Sequence, residues 1–227
     1  MFSSDPVGAV FFDVDGTLVP GTSSSVFLAG FLGHRDELAE AEDAYASGAL
    51  DNRQVSELDA AGWAGVPEEQ VSGRLDGLPL VSGITETVAW CRRNKLVPVL
   101  ATLAWSPVGS HLADRFGFHA FSGPRLETAD GRFTGRVARH FDEYGKRDFA
   151  LAQARELGST LRSCGAVGDS RSDLPLFASV GLSVAFNASA GARAAATATV
   201  DGGDLRAVLP VLSRLVTVTR SRPSAEG

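Results

Sequence analysis

Four short stretches of the chain are apolar with almost no alternation: residues 7–12, 96–102, 164–168 and 182–186. Runs of this kind predict strands covered on both faces, as in a parallel sheet held between two layers of helices. Elsewhere apolar residues recur at helical spacing, first at Val26, Phe27, Leu28, Phe31 and Leu32, then over residues 34–46, 51–62 and 67–75. The loop over residues 20–25 supplies an N-cap serine, Ser25, to the first of these helices, and Pro67 is expected at the first position of the fourth. Further helices are predicted over residues 84–95, 106–116, 145–157, 188–196 and 204–215, with Ser106 and Pro107 as N-cap and first position of the second of these. Residues 118–121 form a candidate short strand, and residues 125–137 a hairpin turning at Asp130-Gly131. Pro98 interrupts the 96–102 run with a residue that cannot donate to a ladder. Residues 1–6 read as a loose lead-in and residues 221–227 as a disordered tail.

This order of elements predicts an α/β fold, a doubly wound and mainly parallel sheet with a Rossmann-like core. The core is expected over residues 1–18 and 81–227, interrupted by a small helical cap domain over residues 19–80. A helical excursion directly after the first strand places a cap over that strand's carboxyl end, where it excludes water and selects substrates.

Composition narrows the classes of function. With 227 residues, 44% of them hydrophobic and 21% charged, the chain has material for one sizeable core and a smaller appendage. A net charge of −6 and a pI near 5.2 offer no broad basic field, so nucleic acid is not an expected partner. Two cysteines, Cys91 and Cys164, indicate neither a disulfide framework nor a thiolate metal site. No charged segment followed by an apolar one opens the chain, and no apolar run approaches eighteen residues. The expected setting is therefore cytoplasmic, away from the membrane. Of the 21 basic residues only Lys95 and Lys146 are lysines, which makes each of them worth following.

The candidate chemistry sits where apolar runs end. The first run closes on Asp13-Val14-Asp15-Gly16-Thr17, two acids one residue apart at a strand tip. Ligands of parallel sheets bind outside the carboxyl ends of strands, and two anions in one poorly solvated place call for a cation. A magnesium ion satisfies that demand and leaves room for a phosphate. One acid can then attack while the other moves protons. The second run ends in Thr102, whose hydroxyl and neighbouring amides can cradle an anion. Lys146, near a helix start, can act as a compact charge on a phosphate. The third run ends in Gly168-Asp169 with Asp173 four residues on; Asp169 can complete a metal site and Asp173 can support it.

A DxDGT strand end, a later hydroxyl, a lysine and a GDxxxD strand end, in that order, resemble the haloacid dehalogenase superfamily of phosphatases. The helical insert and the stretch from Arg125-Leu126-Glu127 through Asp130-Gly131 to Thr134-Gly135 resemble its phosphoserine phosphatase branch. The resemblance implies a nucleophile at Asp13, forming an aspartyl-phosphate, and a proton-transfer residue at Asp15. It implies Mg2+ held by Asp13, the Asp15 carbonyl and Asp169, with Asp173 behind them and Thr102 and Lys146 on the phosphoryl oxygens. Two groups that grip phosphoserine in that branch, a glutamate and an arginine, are replaced by Thr22 and, in a rough alignment, Asp59. Arg53 is the nearest alternative to the arginine, and Thr102-Leu103-Ala104 replaces the branch's Ser-Gly-Gly. The expected activity is therefore magnesium-dependent hydrolysis of a small phosphate ester, with a sugar or nucleoside phosphate ahead of phosphoserine. A phosphotransferase or mutase, a dehalogenase, a phospho-accepting signalling module and a catalytically inactive binding protein are the competing readings. The signalling module is disfavoured by this chain's length and its helical insert.

Overall fold

The computed structural model describes residues 6–220, so the tail over 221–227 and all of the lead-in but Pro6 lie outside the described residues. Strand β1 (Gly8–Phe12) is followed by helices α1 (Ser24–Leu32), α2 (Arg35–Ser47), α3 (Asn52–Gly62) and α4 (Glu68–Leu75). Then come α5 (Ile84–Arg93), β2 (Leu96–Leu100), α6 (Ser106–Phe116) and the hairpin of β3 (Arg125–Ala129) and β4 (Arg132–Arg139). Helix α7 (Glu143–Glu156), β5 (Gly165–Gly168), α8 (Leu174–Phe177), β6 (Leu182–Phe186), α9 (Ala190–Ala195), β7 (Ala198–Val200) and α10 (Leu209–Arg220) complete the chain.

Five strands form one parallel sheet in the order β2-β1-β5-β6-β7. Every residue of β1, β2, β5 and β6 is buried, which is why these segments show no alternation. The side chains of β1 instead alternate between two cores. Val10 and Phe12 pack with Ile84, Val88, Leu112 and Leu212 on one face, while Ala9 and Phe11 pack with Ala150, Ala154 and Leu176 on the other. Helices thus cover both faces, as the doubly wound reading expects. Trp63, Val71 and Leu75 of the helical segment join the first core, and the Trp63 ring meets Phe133 of β4 edge-on at 5.0 Å.

Some local expectations are corrected. Residues 118–121 make only an isolated bridge, Leu100 to Phe121, because the chain runs beside β2 for too few residues to build a ladder. Leu100 N–H donates outward to Ala120 O, so the nitrogen of Pro98, two residues earlier, also faces away from β1. β2 is the sheet edge, and a proline is tolerated there. The N-cap of the first helix lies two residues before Ser25, at Ser23, whose Oγ accepts from Val26 N–H at 2.9 Å. Pro67 is the N-cap of α4, and Trp105, not Ser106, precedes α6. Helix α7 begins ahead of Gly145, capped by Asp142, which accepts from Gly145 N–H at 2.7 Å. The last expected helix is divided, a 3-10 turn over Leu205–Val208 preceding α10. The three-residue strand β7 carries too little pattern to be read in advance. The hairpin turns at Asp130 and Gly131, with φ of 52° and 73°, the mirror-image turn that suits the twist of paired strands.

Candidate active site

The chain leaves β1 for β2 on one side of it and returns to β5 on the other, so the carboxyl end of β1 is the point where strand order reverses. A crevice opens at such a point. Asp13 N–H donates to Val167 O at 2.9 Å and Ala101 N–H to Phe12 O at 2.9 Å, which draws the ends of β1, β2 and β5 together.

Asp13, 4% exposed, faces Lys146, whose Nζ lies 3.0 Å from Asp13 Oδ1 and 2.6 Å from Asp173 Oδ1. Lys146 lies in the first turn of α7 and is fully buried. Oxygen atoms of Asp13, Asp169 and Asp173 lie within 4.8 Å of one another. Asp173 is already committed: besides Lys146 it accepts from the N–H groups of Asp169 and Ser170, at 2.9 and 3.1 Å through Oδ2. It therefore suits the support of Asp169 better than ligation.

Burial pushes the Asp13 carboxyl up to about 7; Lys146 opposes the rise, while Asp173 and Asp15 add to it. Asp169 is pushed up to about 8 by burial and by the charges of Asp13 and Asp173. Burial also raises Asp15. Burial would lower the Lys146 ammonium, but Asp13 and Asp173 outweigh it and hold the group protonated. Four carboxylates thus meet one buried ammonium, an excess of negative charge built entirely from hard oxygen donors. That set fits a magnesium ion, with Asp13 and Asp169 as the carboxylates free to hold it.

Asp15 points toward the helical segment, where its Oδ1 accepts from the N–H of Ser24 at 2.6 Å. This contact sits in the first turn of α1, where N–H groups lack partners within the helix, and fixes the carboxylate beside rather than on the Asp13–Lys146 pair. Gly16 has φ +79°, and a Cβ there would stand 2.1 Å from Asp169 Oδ2. A Cβ at Gly168 would meet the Asp173 carboxyl carbon at 2.2 Å. Both motif glycines give carboxylates the room to approach. Thr17 Oγ1 donates to Asp169 Oδ1 at 3.5 Å, a contact the sequence reading did not single out. Thr102 is fully buried just past β2; its hydroxyl accepts from Ala104 N–H at 3.0 Å, and the next residue, Leu103, faces the crevice.

The crevice is a cavity of about 770 Å³ running from Asp13, Asp15 and Asp169 into the helical segment. Its far wall is made by one face of α2 (Leu38, Glu42, Tyr45, Ala46) and one of α3 (Asn52, Val55, Ser56, Asp59). The 3- and 4-residue spacings of these positions were present in the sequence, but polar residues at helical spacing read first as a solvated face. Asp59 is 2% exposed and accepts from His34 Nε2 at 2.8 Å, Trp63 Nε1 at 2.9 Å and Trp105 Nε1 at 2.6 Å. Arg53 lies outside this cavity, exposed and paired with Glu57 one turn on.

The family model for haloacid dehalogenase-like hydrolases matches residues 10–178. The phosphoserine phosphatase of Streptomyces coelicolor is 31% identical over 204 residues, which is 89% of this chain and 50% of that relative. The phosphoserine phosphatase of Halobacterium salinarum is 31% identical over 198 residues, 86% of this chain and 93% of the relative. The chain spans half the length of the Streptomyces relative. A solved structure described as a phospho-aspartyl intermediate analogue of phosphoserine phosphatase superposes with a TM-score of 0.82, at 24% identity, over 89% of this chain and 97% of that one. At that identity the superposition bears on fold alone. Among the described residues no helix is long and apolar enough to cross a membrane.

Proposed function

The chain belongs to the haloacid dehalogenase-like hydrolases, in their phosphoserine phosphatase-like branch, and from that premise we propose that it hydrolyses the phosphate monoester of a small alcohol by way of an aspartyl-phosphate on Asp13. The observation that carries this reading is the buried group of Asp13, Lys146, Asp169 and Asp173 at the mouth of the cavity.

Asp13 attacks phosphorus, and the bond from phosphorus to the ester oxygen breaks. Asp15, whose raised affinity for its proton suits an acid, protonates the departing ester oxygen, so that the alcohol leaves and Asp15 remains as a carboxylate. The same carboxylate then takes a proton from a water molecule that attacks the aspartyl-phosphate, releasing inorganic phosphate and restoring Asp13. Lys146 neutralises charge on the phosphoryl oxygens and opposes the rise that burial imposes on the Asp13 carboxyl. Thr102 and the amides after it hold the remaining oxygens. A magnesium ion held by Asp13, Asp169 and the carbonyl of Asp15 supplies further charge neutralisation when bound. Residues 19–80 act as the cap, with α2 and α3 selecting the alcohol.

The relatives favour phosphoserine as the substrate and give no support to the sugar or nucleoside phosphate expected from Thr22 and Asp59. The test is phosphate release from phosphoserine, sugar phosphates and nucleoside monophosphates, with magnesium or with chelator, and Asp13→Asn as the blank. Metal-dependent release from phosphoserine above the other esters supports the reading. No release from any ester by folded, magnesium-loaded protein sinks it.

A further inference from the structure

Helix α2 is tied to the core through one side chain, that of Arg171. Among the described residues, no other hydrogen bond or ion pair joins α2 to the chain outside residues 19–80. The Arg171 guanidinium donates to the backbone carbonyl of Tyr45 and lies 4.3 Å from the centre of the Tyr45 ring. That carbonyl belongs to the last turn of α2, where C=O groups lack helical partners and cations are favoured. Helix α2 has no basic residue of its own in that turn. Arg171 supplies the cation from the core.

The backbone of Arg171 lies in the turn between two acids of the site. Asp173 Oδ2 holds the N–H groups of Asp169 and Ser170 just before it, and the Arg171 carbonyl accepts from Leu174 N–H just after. The guanidinium also stands 3.8 Å from Glu143, in the first turn of α7 and three residues ahead of Lys146. One half-buried side chain thus links α2, the turn that carries Asp169 and the helix that carries Lys146. On the α2 side, Leu38, Glu42 and Tyr45 all stand in the cavity wall.

We propose that Arg171 is a positioning residue for the reaction: by fixing the C-terminal end of α2, it sets how far the helical wall that receives the alcohol stands from Asp13 and Asp169. This rests on the phosphatase reading above. With the Tyr45 carbonyl, the Tyr45 ring and Glu143 as partners, the guanidinium acts on the alcohol only through α2. Without it the end of α2 loses its tie, and the wall shifts relative to the phosphate-binding end of the cavity. That end is held independently, by the contacts among Asp13, Lys146 and Asp173. Lysine keeps the charge of arginine but not its planar fork or its stacking, so it can replace Arg171 only in part.

The test measures kcat and KM for phosphoserine and phosphoethanolamine, with inorganic phosphate as inhibitor, in the wild type, Arg171→Met and Arg171→Lys. In Arg171→Met, KM for both esters is expected to rise at least about fivefold while kcat falls by less than about threefold, and the inhibition constant of phosphate stays within about twofold. Arg171→Lys recovers part of the KM, and serves if Arg171→Met does not fold. An unchanged KM in both variants overturns the proposal. So does a loss confined to phosphoserine, which would make Arg171 a direct contact of the substrate carboxylate, and so does a weakening of phosphate inhibition in step with KM. If the wild type hydrolyses no ester, the phosphatase reading fails instead. The tie is then read from hydrogen exchange at the amides of Gly48, Ala49 and Leu50, which donate to the last carbonyls of α2. Exchange there is expected to quicken at least about tenfold in Arg171→Met, and equal exchange overturns the tie itself.

Discussion

Lys146 Nζ lies 2.6 Å from Asp173 Oδ1, and neither side chain reaches solvent. The pair joins the first turn of α7 to the loop after β5, and Asp173 in turn fixes the backbone of Asp169 and Ser170. Breaking a buried pair from one side leaves an uncompensated charge, which costs far more than an exposed ion pair returns. Lys146→Met is expected to abolish turnover, and Asp173→Ala to lower stability by about 3–5 kcal/mol. Urea unfolding of each variant reads the stability, and a loss below about 1 kcal/mol for Asp173→Ala would contradict the burial of the pair.

The raised acids give the metal-free protein a distinctive pH dependence. Asp13 and Asp169 hold protons in the folded state up to about 7 and 8, whereas in the unfolded chain they release them near the ordinary value of 3.8. Between those limits the folded state binds more protons, so stability falls as pH rises from about 4 to 8, by at most about 1.4 kcal/mol per pH unit for each proton. Magnesium favours the ionised carboxylates, so its apparent affinity is expected to rise over pH 6–8. Melting temperatures at pH 5, 6, 7 and 8, with chelator or with magnesium, check both statements; the chelated protein should show the steeper fall.

Gly16→Ala introduces a methyl group 2.1 Å from an Asp169 oxygen at a φ of +79°. The three atoms nearest the new methyl group all belong to the Asp169 carboxylate, so relief comes by moving Asp169. A fall in magnesium affinity and at least about a hundredfold drop in kcat are expected, of the size that misplacing a group by 1 Å can cause. Magnesium titration by calorimetry, with activity at saturating metal, separates lost binding from lost positioning.

Asp59→Ala leaves the indole N–H groups of Trp63 and Trp105 and the His34 ring without their acceptor, in a site 2% exposed. Each stranded donor costs about 1–3 kcal/mol, so a loss of several kcal/mol is expected, with a change in tryptophan emission. Because Trp105 lies in the loop after β2 while Asp59 lies on α3, the substitution also loosens one tie between the helical segment and the sheet. KM is expected to rise more than kcat falls, since Trp105 lines the cavity and Asp59 touches none of the reacting atoms.

The sequence by itself carried the order of the strand-end groups, Asp13 and Asp15, then Thr102, Lys146, and Asp169 with Asp173. It also carried the doubly wound sheet. Both were legible because they rest on local facts: apolar runs without alternation mark strands buried on two faces, and acids at their ends fall where a parallel sheet places its ligands. The same locality explains why the Asp130-Gly131 turn was readable, its left-handed backbone suiting those two residue types. Element ends were less legible, because Ser23, Ser24 and Ser25 are equivalent on paper. Only the packed chain decides that Ser23 caps α1 and that the N–H of Ser24 is left for Asp15. The commitment of Asp59 to two indoles and a histidine, and the turning of Glu42 into the cavity wall, were tertiary decisions altogether. Each depends on which face of α2 and α3 turns toward the cavity, and that orientation is set by the packing of Leu38, Ala60 and Trp63, not by the spacing of polar residues along a helix.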